Sequence, residues 1–134
     1  MRTSQPIIFL CLILHSAANY AADSGAYIVS PLNGAVLSNP VTVVFGLRNG
    51  FGVAPAGVNI ENTGHHHLLI DTPLPDLTLP IPKDDQHRHF GGGQTEVTLE
   101  LSPGEHTLQL LLGNFAHIAH QPAVMSEPIT VTVK

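Results

Sequence analysis

With 134 residues, the chain has room for one domain and little more, and a single cysteine leaves no disulfide framework to hold it. A formal net charge of −5 with only five Lys and Arg excludes the phosphate-neutralising patch that nucleic-acid binding needs. Nine histidines outnumber those five basic residues, and they are the anomaly of the composition.

The opening "MRTSQPIIFLCLILHSAANYAADSG" has a basic residue, Arg2, then an apolar run through Ile7–Leu14, then small residues. That is the layout of a secretory signal peptide, and the run is too short to span a bilayer. The expected division is a leader over 1–22 and a domain over 23–134, with cleavage after Ala18, Ala21 or Ala22. Cys11 falls in the leader, so the mature domain has no thiol. Export to the periplasm follows, with no stable membrane insertion once the leader is removed.

The remaining chain reads as short strands separated by Gly, Pro and Asn punctuation. "AYIVSP" is the first strand, closed by "PLNG". In "VTVVFGLRN", Val41, Val43, Phe45 and Leu47 share one face. "FGVAPAGVNIENTG" is a loop, and "HHHLLIDT" is the next strand. "DTPLPDLTLPIPKDD" has four prolines, which forbid a helix or a central strand; with "QHRHFGGG" it makes a connection of about twenty residues. "QTEVTLEL" alternates, "SPGE" turns, "HTLQLLLGNF" is a buried strand, and "PITVTVK" closes with Ile129, Val131 and Val133 inward. No segment carries a helical period. The expected fold is all-β, an antiparallel immunoglobulin-like or cupredoxin-like β-sandwich in a single domain.

Eight histidines lie in the mature region. Alternate strand residues share a face, so His65 and His67 point together with Leu69 and Asp71, and His66 points the other way. His66 reads as a core histidine held by a hydrogen bond, and the isolated His106 as a surface residue. "HRH" sets His87 and His89 on one side. "HIAH" places His117 and His120 together if it forms a single helical turn. Met125 follows five residues later as a soft thioether.

The candidate metal ligands are therefore His65, His67, His87, His89, His117, His120 and Met125. Histidine with methionine and no cysteine suits copper; histidine alone, or with a carboxylate such as Asp71 or Glu61, suits zinc or nickel. Copper is the first choice and zinc the second, with capture, delivery or buffering as the role and another periplasmic protein as a conceivable partner. No catalytic residue emerges: Ser30, Ser102 and Ser126 lack a nucleophile-elbow context, no carboxylates pair, and the Gly91–Gly93 run precedes a strand rather than a phosphate-binding helix. Two alternatives stand beside this reading. One is a non-enzymatic envelope interaction module whose histidine cluster is structural or senses pH. The other is a metalloenzyme with an open coordination position.

Three stretches, "GVAPAGVNIENTGHHHLLIDTPLP", "HRHFGGGQTEVTLELSPGEHTLQLLLGN" and "HIAHQPAVMSEPITVTVK", together resemble a family of small exported bacterial domains of unknown function, sometimes mislabelled as a rod-shape-determining protein. The resemblance runs from about Ala26 to Lys134 and rests most on "TGHHHLLID" and "FGGGQTE". It implies a single periplasmic domain carrying the same histidine positions. It implies no activity.

Overall fold

In a computed structural model, which describes residues 25–134, the alternating apolar residues build two facing sheets. The expected leader and its expected cleavage positions lie outside the described residues. Strands β1 (Ala26–Ser30), β3 (Val41–Leu47) and β7 (Glu96–Leu99) form one sheet in the order β1-β3-β7. The second runs β2 (Val36–Leu37), β9 (Ile129–Val133), β8 (Gly104–Gly113), β5 (Thr63–Ile70), β4 (Gly52–Val53), and β6 (His87–His89) also pairs with β5. There is no helix among the described residues. The expected β-sandwich is observed. Its main pairings are antiparallel, while the two-residue β2 and β4 add in parallel. β2, β4 and β6 were not legible as strands, and β4 lies within what read as a loop: two or three residues carry no period of their own.

The core between the sheets follows from the alternation. Val41, Val43 and Phe45 of β3 meet Leu68 and Ile70 of β5, Leu108, Leu110 and Leu112 of β8, and Val131 and Val133 of β9. The other face of the larger sheet is not left to solvent. Leu69 and Leu111 project there and pack with Ile81 and Ala119, joined by Leu77, Ala123 and Met125. The Pro-rich connection supplies Leu77 and Ile81, so its function in the fold is to cap this outer face. Residues Gly64–Ile70 of β5 are consequently all buried.

β5 is bounded at both ends by left-handed residues, Asn62 (φ 55°) and Asp71 (φ 53°). Asn and Asp tolerate this conformation better than other non-glycine residues. The turn at Asp71 takes its carboxylate off the His65–His67 face, contrary to expectation. It accepts hydrogen bonds from the Thr107 amide at 2.8 Å and from Nδ1 of His106 at 2.6 Å. His106 is not the surface residue the sequence suggested; it is buried, and its Nε2 donates to the Ser102 carbonyl at 2.7 Å.

With acceptors on both ring nitrogens, His106 is held above the usual imidazole range by the Ser102 carbonyl first and the Asp71 side chain second. A raised folded-state value stabilises fully below about pH 6.5, and the contribution is lost as pH rises through the raised value. Asp71→Ala should therefore destabilise the domain by about 1.5–3 kcal/mol at pH 6, the range for hydrogen bonds to a charged group, and by less at pH 9. Urea denaturation at the two pH values measures this.

Candidate metal centre

Strand alternation and register bring the histidines together. On β5, His65 and His67 face outward; across the β5–β6 pairing His67 stands opposite His89, and across β5–β8 it stands opposite Leu111. One imidazole nitrogen from each of His65, His67 and His89 lies within 4.8 Å of the other two. His117 closes the group from the loop after β8. Its ring centroid is 4.9 Å from that of His65, 5.0 Å from His89 and 6.3 Å from His67. The remaining centroid separations are 4.9 Å (His65–His67), 5.0 Å (His65–His89) and 5.1 Å (His67–His89).

The four rings pack against one another, and nitrogens of His65, His67 and His89 are close enough for these three residues to share one ion. The group could hold a metal ion.

The electrostatics agree. His65 and His67 are fully buried, and neither nitrogen of either ring has a hydrogen-bond partner; the same holds for Nε2 of His89. Orphaned buried polar atoms are costly and rare. Burial first, then the neighbouring imidazoles, pushes His65 down to about 4 and His67 to about 3. His89 is lowered by burial, then by His117 and by Lys83. At neutral pH these rings carry no extra proton, which is the form that binds a metal.

Each ring has a local reason for its place. Gly113 lies opposite His65, and a Cβ there would meet Cε1 of His67 at 2.7 Å, so glycine makes room for that ring. A Cβ on Gly91 would meet Nε2 of His89 at 2.8 Å. This close approach, with a left-handed Gly93 (φ 84°), accounts for the triple glycine. His117 itself is left-handed (φ 64°), an uncommon conformation for a non-glycine residue. The Asn114 side chain holds its loop by accepting from the Ala116 amide at 2.8 Å and the Ile118 amide at 3.1 Å. The Ile81 amide donates to the His117 carbonyl at 2.7 Å. The Pro-rich connection thus positions a histidine as well as covering a core.

Two glycine substitutions separate fold from site. In Gly64→Ala the new methyl would meet the Gly113 carbonyl, a backbone atom that cannot move aside, and a loss of about 3 kcal/mol is expected in urea denaturation. Gly91→Ala meets only the end of the His89 side chain. It should leave stability nearly unchanged while weakening metal binding by about 10-fold, the lower range for disturbing what orients a ligand.

The model of a domain of unknown function, DUF4399, matches residues 43–134. The chain belongs to the DUF4399 family. The match begins within β3 rather than at Ala26, where the resemblance had placed it. No curated protein and no solved structure matches the chain.

Within this DUF4399 domain, three residues singled out from sequence lie apart from the cluster. His87 shares the outward face of β6 but stands opposite Leu69, and its Nδ1 pairs with Asp84 Oδ1 at 2.8 Å. His120 does not meet His117 on a helical turn, because the loop there is extended: Ile118 bridges Pro80 and Ala119 bridges Gly113. The His120 ring instead packs edge-on against Phe51 at 5.5 Å and lines a cleft with Glu61 and Asn114. Met125 lies opposite Leu111, two strand spacings or about 10 Å across the sheet from His67, and packs with the outer apolar cluster. His66 is in the core as expected, with its ring 5.0 Å from that of Phe45, but neither of its nitrogens has the expected hydrogen bond. Asn114, Gly113 and Ile81 went unnoticed in the sequence. Of these, Gly113 had a signal, a glycine closing an otherwise apolar strand.

Proposed function

We propose that this protein is an exported metal-binding domain of the periplasm that captures, buffers or delivers copper. The carrying observation is the set of three imidazoles, from His65, His67 and His89, with a nitrogen of each within 4.8 Å of the others and the ring of His117 packed against them. The four rings come from β5, β6 and the loop after β8. With Met125 on the far side of Leu111, the soft-donor argument for copper falls away, and the all-imidazole set serves copper and zinc alike. Copper remains first on the affinity order of divalent ions, Cu²⁺ above Zn²⁺. Zinc is second. Export is supported by the leader-like start, and capture rather than turnover by the lack of a catalytic constellation in the sequence.

The test uses protein made without an affinity tag, because a polyhistidine tail would bind metal on its own. Elemental analysis and calorimetric titration with Cu(I), Cu(II) and Zn(II) should give one equivalent bound at about micromolar affinity or tighter. Binding of all three no tighter than about millimolar would end the proposal. A second reading, an envelope interaction module, draws on exposed Ile60 and Phe115, which border one cleft close to the His117 loop. It requires a partner retained after chelation.

A further inference from the structure

The three nitrogens that converge belong to neutral groups, and no negative charge stands with them. Among the described residues, no Asp, Glu or Cys joins the group formed by His65, His67 and His89. The His117 ring packed against them is another imidazole. The acids on neighbouring turns are engaged elsewhere: Asp84 with His87, and Asp71 with His106 and Thr107. Lys83 acts electrostatically on His89 and adds positive charge instead.

Outer support of the usual kind is also missing. A metal-ligating imidazole commonly donates its other ring nitrogen to a carboxylate or carbonyl, which makes it a more basic donor. No carboxylate takes that role here: both nitrogens of His65 and of His67 are buried without a hydrogen-bond partner. An ion seated beside these two rings therefore keeps its full charge against fully buried groups. The cost of taking an ion out of water grows with the square of its charge, so it is about four times larger for a divalent than for a monovalent ion. Donor number points the same way. Structural zinc takes four protein donors, whereas monovalent copper is satisfied by three. Alkali ions, the other common monovalent cations, favour oxygen over nitrogen.

We propose that the ion held by His65, His67 and His89 is monovalent copper, selected over Cu(II) and Zn(II) because the site supplies three neutral donors and no anion. This rests on the metal-binding reading above and names its cargo. It departs from the affinity order of divalent ions, which would put Cu(II) first.

The test compares the three ions on untagged chain carrying Cys11→Ala, because a thiolate would hold Cu(I) by itself. Cu(I) is titrated without oxygen against bathocuproine disulfonate, and Cu(II) and Zn(II) against chelators of known affinity, all at neutral pH. One equivalent of Cu(I), bound more than about tenfold tighter than either divalent ion, is the expected result. His65→Ala/His67→Ala, or His89→Gln should that variant fail to fold, should weaken Cu(I) binding by about 100-fold or more. Cu(II) or Zn(II) bound within about tenfold of Cu(I), or tighter, overturns this inference and leaves the metal-binding reading standing. Cu(I) affinity unchanged in a folded variant also overturns it. Binding of all three ions no tighter than about millimolar overturns both.

Discussion

Alanine in place of both His65 and His67 is expected to abolish stoichiometric metal uptake, whereas His87→Ala, His120→Ala and Met125→Leu should each leave affinity within about threefold of the starting protein. Structural zinc sites with four ligands bind with about 10–16 kcal/mol, or about 3 kcal/mol for each donor, so each lost imidazole weakens binding by about 100-fold. Two together exceed the range of a specific site. The second group separates the observed geometry from spacing alone, because the sequence marked all of these residues as ligands. His87 is occupied by Asp84, His120 by Phe51 and Met125 by the outer apolar cluster. Calorimetric titration gives the affinities, and far-UV circular dichroism shows that each variant is folded. Metal should also raise the melting temperature of the parent by about 10 °C or more at a hundredfold excess over Kd, and the double variant should lose that rise.

The second large effect is acid lability of the metal-free domain, with His66→Leu reducing it. Burial pushes His66 down to about 4, and His67, by burial and then by its neighbouring histidines, to about 3. A depressed folded-state value means that the unfolded chain takes up protons first. Stability is therefore complete above about pH 6.5 and is lost as pH falls toward 4. At pH 4 each of these two rings removes on the order of 3 kcal/mol, together a large part of the 5–15 kcal/mol typical of a domain. Unfolding near pH 4–5 follows. His66 sits against Phe45, which itself stacks on Phe90 at 4.9 Å, and neither of its nitrogens is satisfied. Leucine there should add about 1–3 kcal/mol at neutral pH and move the acid midpoint lower, without touching the outward-facing cluster. Tryptophan is absent, so circular dichroism against pH is the suitable readout. An unchanged acid midpoint in His66→Leu would show that this ring is not what acid attacks.

How legible was this in the sequence? The strands with a clear period of two were all found, and so was their facing: Val41, Val43 and Phe45 inward, His65 and His67 opposed to His66. Period fixes face, and these segments were long enough to show one. What failed were inferences that needed a partner. Asp71 looked like part of the His65–His67 face until a left-handed turn sent it to His106. His117 and His120 looked paired because three-residue spacing pairs side chains on a helix, and that loop is extended. Met125 is near in number but separated from His67 by Leu111. The Pro-rich connection was legible as an irregular segment of about twenty residues, but nothing in its composition revealed that Ile81 would anchor both an outer core and the His117 loop.

The three consecutive histidines carry a hazard that the glycines remove. Sliding β5 by a single position against β8 would still present an imidazole to the outer side, so the histidines by themselves say little about phase. The contact between Gly64 and the Gly113 carbonyl does, because neither Thr63 nor His65 could occupy that spot without collision. A repetitive ligand run is thus made unambiguous by the one residue beside it that has no side chain.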